Sequence, residues 1–172
     1  CAMIRPKTAR RNPKGTMEVL LQLKKRYGKN LHVLLFGCTD EEIQELGSYD
    51  MECRNLGLLK RWEVAELLLA SDIFLDMSTY QAFGRTGLES MCLGCVPVLP
   101  VEGGVNKFAC DNKNAIIVNT ADINEVYRRI CAVIDTPRKL LEMQQEGLST
   151  AKAFNIQNAA WSEIKLLNTL FE

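Results

Sequence analysis

The sequence predicts an α/β protein: a parallel sheet of about six strands with helices on both faces. Three observations carry that prediction. Short apolar runs alternate with segments of helical period, and each run is followed by a helix or a helix-length gap. Two of the runs, HVLLFG and IFLD, are nearly continuous in apolar residues, as parallel strands covered on both faces must be.

In chain order, strands are expected at residues 2–4, 32–37, 51–56, 73–77, 96–100 and 115–118. Helices are expected between them at 15–27, 40–46, 62–70, 86–93 and 122–135. Thr39 followed by Glu42 forms a capping box that marks the start of the second helix. The helix over 122–135 has the clearest stripe, with Ile123, Val126, Tyr127, Ile130, Val133 and Ile134 at helical spacing. Pro137 opens a further helix where its missing N–H costs little. After Phe154 a last segment places Ala160, Ile164, Leu167 and Phe171 on one stripe. No further strand remains for that stripe to cover, so it is expected to meet something outside this domain. The chain shows no internal repeat, low-complexity tract or linker.

With 172 residues, 47% of them apolar and 24% charged, the chain has the composition of one globular domain with a sizeable core. Lys plus Arg equals Asp plus Glu at 21 each, so no global field recruits nucleic acid or an anionic membrane. Seven cysteines, an odd number scattered along the chain, do not make a disulfide framework and fit a reducing, cytoplasmic setting. No apolar run approaches the roughly 20 residues of a membrane span. The opening CAMIRP is neither a signal peptide nor a natural initiation, so the chain is expected to be part of something longer.

Ligands of open parallel sheets bind at the carboxyl ends of the strands, which directs attention to three loops. The first, RPKTARRNPKG, gathers Arg5, Lys7, Arg10, Arg11 and Lys14 in an otherwise neutral chain. Such a cluster suits phosphate, because arginine grips it bidentately and lysine adds a point charge. A solvated basic loop would read the same way in isolation. The second, STYQAFGRTGLESMCLG, puts Gly84 and Gly87 where a helix should begin, offering free backbone N–H groups to an anion. Glu89 lies one turn inside, and its carboxylate can accept from two neighbouring hydroxyls such as those of a ribose. Thr86-x-x-Glu89 is equally a capping box, and periodicity alone favours the cap. The third, PVEGGVNKF, carries Gly103 and Gly104, which make either an anion-binding nest or an ordinary turn.

Other features carry less weight. Cys92-Leu-Gly-Cys95 has metal-ligand spacing without a second pair or a histidine. His32 reads as structural, and Asp72 and Asp76 flank an apolar strand without a partner acid at useful spacing. Neither GxxxxGK[ST] nor a GxGxxG opening the first helix is present, which argues against a P-loop nucleotidase and a dinucleotide-binding domain.

The stretch LGLLKRWEVAELLLASDIFLDMSTYQAFGRTGLESMCLGCVPVLPVEGGVNKF resembles the donor-binding core of retaining family 4 glycosyltransferases of the GT-B fold. Those enzymes show a loop ending in Leu-Gly, a helix, a strand ending in Ser, Glu-x-Phe-Gly, a second glutamate, a small-residue helix end and a Gly-Gly loop. Phe83 and Gly84 match the Phe-Gly, and Glu89 matches the second glutamate. Arg5 and Lys14 with Gly15 match the Arg and Lys-Gly near the family domain's start, across a longer loop. The resemblance covers nearly the whole chain and implies a Rossmann-like half of a GT-B enzyme.

It further implies that Arg5 and Lys14 are the catalytic cations gripping the donor diphosphate and that Glu89 binds the ribose. Phe83, Gly84 and Arg85 would face the sugar phosphate, Leu58 and Lys60 the base, and Gly103 and Gly104 would complete the donor site. The first glutamate of the family's Glu-x7-Glu pattern is Gln81, which can bond a sugar hydroxyl but supplies no negative charge. The arginine-rich opening is similar to that of bacterial rhamnan-type polysaccharide glycosyltransferases, a weaker match that adds a deoxyhexose to the conceivable donors.

On this resemblance residues 1–154 form the donor-binding domain. Residues 155–172 form a helix crossing to an N-terminal domain, absent here, that holds the glycan acceptor. The longer protein would transfer a hexosyl or deoxyhexosyl group from a UDP-, GDP- or dTDP-sugar in polysaccharide or glycoconjugate biosynthesis, and this chain alone would transfer none. No metal or other cofactor is implied, because cations and helix N-termini hold the leaving diphosphate. Peripheral membrane association of the longer protein stays open. The alternatives are a GT-B-type sugar-nucleotide epimerase, a non-catalytic partner subunit that keeps the fold, and a flavodoxin-like domain.

Overall fold

The computed structural model describes residues 1–170. Its elements run β1 (Ala2–Met3), α1 (Pro13–Tyr27), β2 (Leu34–Phe36), α2 (Asp40–Leu46), β3 (Arg54–Asn55), α3 (Arg61–Leu69), β4 (Ile73–Leu75), α4 (Arg85–Cys92), β5 (Val96–Pro100), β6 (Ile116–Val118), α5 (Ile123–Ile134), α6 (Pro137–Ala151) and α7 (Ile156–Leu170). The six strands are parallel in the order β3-β2-β1-β4-β5-β6. Successive connections wind outward in opposite directions from β1 and β4, so the topological switch point lies between those two strands.

Every strand that the apolar runs predict is present, most of them shorter. Pairing nevertheless continues past the named strands: Ile4 donates its N–H to the Phe36 carbonyl, Arg54 to Val33 and Asp76 to Val98. The apolar runs mark the whole buried span, of which the regular ladder is only the centre.

Both faces are covered, as the continuous apolar runs require. On one face Ala2, Ile4, Leu35, Leu75 and Val98 pack with Met17 and Leu20 of α1 and with Val126 and Ile130 of α5. On the other, Phe36 and Phe74 meet Leu67 and Leu68 of α3, while Leu99 meets Met91 of α4 and Ala151 of α6. Burial of side chains this size contributes roughly 1.5–3 kcal/mol each.

Helix starts follow local chemistry with one exception. Asn12, at φ 46°, accepts from the Gly15 N–H and Pro13 takes the first helical position, so α1 begins two residues earlier than its apolar stripe. The Thr39–Glu42 capping box is formed at α2, and Asp122 caps α5. The exception is α4. Its cap is Gly84 in a left-handed conformation, φ 84°, with no side-chain cap, and Thr86 is already the second helical residue. The capping box expected of Thr86 and Glu89 is therefore absent, because a box needs its threonine at the extended residue before the helix.

His32 precedes β2 and is exposed at the amino end of the sheet, away from the loops of interest. On α7, Ile156 is 86% exposed, Trp161 69%, and Ile164 and Leu167 are exposed as well. The stripe containing Ala160, Ile164 and Leu167 is thus uncovered, while Phe171 lies outside the described residues. No helix among the described residues is long and apolar enough to cross a membrane.

Candidate functional site

The loops at the carboxyl ends of β1, β4, β5 and β6 are bonded into one unit. Thr79 donates its N–H to the Arg10 carbonyl at 2.9 Å, and the Arg10 guanidinium donates to the Tyr80 carbonyl at 3.1 Å. Gln81 donates its N–H to Glu102, and Gly104 returns one to the Gln81 carbonyl at 2.9 Å. Thr120 donates its hydroxyl to the Ser78 carbonyl, while the Asn12 amide donates to Thr120. The three loops singled out in the sequence do converge, at the switch point where such folds bind ligands.

Convergence gives Gly103 and Gly104 a packing role. A Cβ on Gly103 would lie 2.0 Å from the Gln81 carbonyl oxygen, and one on Gly104 would lie 2.1 Å from that of Ala82. The backbone of the second loop fills the space that a side chain would need, and the Gly104 N–H is spent on Gln81. The glycines let the β5 loop lie flush beneath residues 81–83, and so act on the site through that backbone.

Above this support lies a cleft of ≈ 310 Å³, lined by Arg10, Arg11, Gln81, Ala82, Phe83, Gly84, Arg85 and Thr86. The N–H groups of Arg85, Thr86 and Gly87 find no acceptor among the described residues and sit at the positive end of the α4 dipole. Gly87 is fixed by packing, since a Cβ there would come 2.7 Å from Leu99. Phe83 is held by Phe108 and Phe154, with ring centroids at 5.3 and 6.3 Å. A half-buried cation, free helical N–H groups and glycines at one cleft are the ingredients of a phosphate site.

A second cleft, of ≈ 320 Å³, opens between α3 and α4. Met3, Val64, Ala65, Leu68, Cys92 and Leu93 form its apolar walls, with Arg61 and Glu89 as its charged groups. Glu89 is half-buried and has no hydrogen-bond partner among the described residues. Thr86 lines both clefts, which therefore flank the first turn of α4.

Not every expected residue lines these clefts. Arg5 is exposed, with its guanidinium near Gly37 at the end of β2, and Lys14 is exposed on the first turn of α1. Lys7 pairs with Glu42 at 2.9 Å. Of the first loop's arginines, Arg10 and Arg11 reach the first cleft, where Arg85 of α4 joins them. Leu58 is 67% exposed, and Lys60 caps α3 through its own N–H, which donates to Glu63; the next turn, Arg61 and Val64, faces the second cleft instead. Cys95 is buried against Phe74, and burial pushes its thiol up to about 12. Among the described residues no group of three His, Cys, Asp or Glu could hold a metal ion.

Sequence reasoning passed over Asp76. It is 5% exposed at the foot of the first cleft, and its carboxylate accepts from Ser78, Gln81 and Arg11. The available clue was an acidic residue ending the apolar run IFLD at the carboxyl edge of a buried strand. The sequence offers it no partner acid, and its partners in the fold are a hydroxyl, an amide and a guanidinium.

A sequence model of the family described as glycosyl transferases group 1 matches residues 6–150. The MMP α-(1→4)-mannosyltransferase of Mycolicibacterium hassiacum is 28% identical over 127 residues, 72% of this chain and 30% of that protein. HepE of Anabaena, solved in complex with UDP-glucose, superposes with a TM-score of 0.79 at 17% identity, covering 98% of this chain and 48% of the other. Sucrose-phosphate synthase from Thermosynechococcus elongatus gives 0.79 at 20% identity, covering 99% and 45%. These two structures share the fold, and the chain spans about half of each.

Proposed function

The chain belongs to the group 1 glycosyl transferases, and from that premise we propose that it binds the nucleotide-sugar donor of a two-part enzyme that transfers a glycosyl group. One observation carries the reading: two clefts flank the uncapped start of α4, one basic, the other apolar with a partnerless carboxylate. A nucleoside diphosphate has the matching halves. The diphosphate would take the N–H groups of Arg85, Thr86 and Gly87, with Arg5, Lys14, Arg10 and Arg11 adding positive charge around it. The ribose would give its hydroxyls to Glu89, and the base would lie between α3 and α4 near Leu58 and Lys60.

Chemistry then follows from charge. Cleaving the bond between sugar and diphosphate leaves negative charge on the departing phosphate oxygens, and preorganised cations and helical N–H groups stabilise it as it develops. On this reading no metal is required, because the same groups hold the leaving diphosphate. The acceptor, a glycan, would be held by another part of the enzyme, against which the uncovered face of α7 would pack. HepE carries UDP-glucose, and its relationship to this fold supports a nucleotide sugar here without choosing the base. The arginine-rich first loop motivates including a deoxyhexose donor among the candidates. The cytoplasm is the proposed compartment, in keeping with seven free cysteines.

Calorimetric titration with UDP, GDP, ADP and dTDP tests the reading. At least one diphosphate should bind, its nucleoside more weakly, and the chain alone should transfer no sugar. If none of the four binds, the donor-site reading fails.

A further inference from the structure

Beneath the first cleft lies a cluster that the donor reading does not by itself explain. Asp76 Oδ1 accepts the Ser78 N–H at 2.9 Å and the Ser78 hydroxyl at 2.5 Å. Asp76 Oδ2 accepts the Gln81 Nε2 at 2.5 Å and the Arg11 guanidinium at 3.3 Å. Gln81 Nε2 also reaches the Ser78 hydroxyl oxygen at 3.1 Å. Asp76 and Gln81 are 5% and 7% exposed, so this is a built-in polar network rather than a surface pair.

The network fixes which way the Gln81 amide faces. A carboxylate can only accept, so the nitrogen must point at Asp76 and the oxygen away from it. That oxygen accepts no hydrogen bond within the chain, yet no buried side-chain oxygen or nitrogen among the described residues lacks a partner. Gln81 Oε1 therefore reaches open space, and the open space that Gln81 lines is the cleft. A glutamate at 81 would stand in contact with Asp76, setting two carboxylates against each other in a buried site, where both cannot comfortably be ionised. The pair holds one carboxylate, and in this chain it is at 76.

We propose that Asp76 is a positioning residue of the donor site: it aims the Gln81 carbonyl oxygen into the cleft to accept a hydroxyl of the donor sugar, and it holds the Arg11 guanidinium at the same cleft. The inference rests on the donor-site reading. A neutral acceptor then faces the cleft, with the Asp76 carboxylate behind it.

The test compares each of UDP, GDP, ADP and dTDP with UDP-glucose, GDP-mannose, ADP-glucose and dTDP-rhamnose by calorimetry, with thermal melting recorded for every variant. Gln81→Glu should weaken the best-binding sugar conjugate about tenfold or more while its bare diphosphate changes much less, because only the sugar contact is misdirected. The double variant Asp76→Asn with Gln81→Glu exchanges donor and acceptor within the pair and conserves the charge. It should restore binding of the sugar conjugate to near the wild-type value. Undiminished sugar-conjugate binding by Gln81→Glu, or a double variant that melts like wild type and fails to recover binding, overturns the role of Asp76. Equal losses for diphosphate and conjugate overturn it too. Those outcomes leave the donor reading standing, whereas a wild-type chain that binds none of the diphosphates defeats both.

Discussion

At the start of α2, the Thr39 hydroxyl accepts from the Glu42 N–H at 3.3 Å and the Glu42 carboxylate accepts from the Thr39 N–H at 3.1 Å. At the start of α4 the same Thr-x-x-Glu pattern, Thr86 to Glu89, makes neither bond. The backbone explains why. Thr39 is extended, at φ −82° and ψ 169°, so its side chain can turn back over the first turn. Ahead of α4 the corresponding place belongs to Gly84 at φ 84° and ψ 47°, and the helix has begun before Thr86 is reached. One pattern closes a helix end; the other leaves three N–H groups open and a carboxylate unengaged. A helix end built for stability and one left available to a ligand thus share a sequence signature, and the residue just outside the helix tells them apart.

The most disruptive way to break that contrast is to disturb what shapes Gly84. Gly104→Ala forces a Cβ to within 2.1 Å of the Ala82 carbonyl oxygen, a backbone atom that cannot step aside cheaply. We expect a loss of about 3 kcal/mol or more, a fall of roughly 6–12 °C in melting temperature, and loss of nucleotide binding. A variant that melts and binds like wild type would show that the β5 loop does not support the start of α4.

Next in size is Glu89→Gln. With no cap to lose, its melting temperature should stay put. Nucleotide affinity should drop about ten- to a hundredfold, the worth of roughly 1.5–3 kcal/mol in charge-assisted bonds, and the drop should persist for the nucleoside. A lower melting temperature with unchanged affinity would return Glu89 to a structural role.

Smaller effects separate the two threonines. Thr39→Ala should cost about 1 kcal/mol through its lost cap, whereas Thr86→Ala should stay within about 0.5 kcal/mol of wild type in stability. Equal costs in chemical denaturation would erase the contrast. The smallest effect is one of pH. Lys7 first, then the Thr39 N–H, hold the Glu42 carboxyl below its usual range. A depressed folded-state pKa means that the α2 box contributes fully above the unfolded value and is lost as pH falls through the folded one. The Thr39 amide resonance should therefore shift on acidification, with a midpoint below that of an unperturbed glutamate, and no titration step should occur between pH 6 and 8.

Much of the molecule was legible along the chain. Alternating runs and stripes marked every strand and helix, and Asp40–Leu46 and Val96–Pro100 were placed to the residue. The three loops of the site were legible from their basic and glycine content and from the rule that ligands gather at strand carboxyl ends. Other parts were not. Arg11 was one basic residue among five, and nothing local set it apart from Arg5. The close packing of Gly103 and Gly104 was not legible either, because a glycine's conformational freedom shows in sequence, while the backbone that will lie against it does not.

The sequence by itself therefore determined the order of strands and helices, the faces that are buried, the starts of α2 and α6 and the family. These depend on periodicity and on contacts spanning three or four residues, which the chain writes locally. Tertiary structure decided which Thr-x-x-Glu is a cap, which arginine enters the cleft, and that Asp76 stands behind Gln81. Arg11 meets Asp76 across 65 positions, and Asn12 meets Thr120 across 108. No local pattern encodes such pairs, because they form only when a doubly wound sheet brings the carboxyl ends of β1, β4 and β6 to one edge.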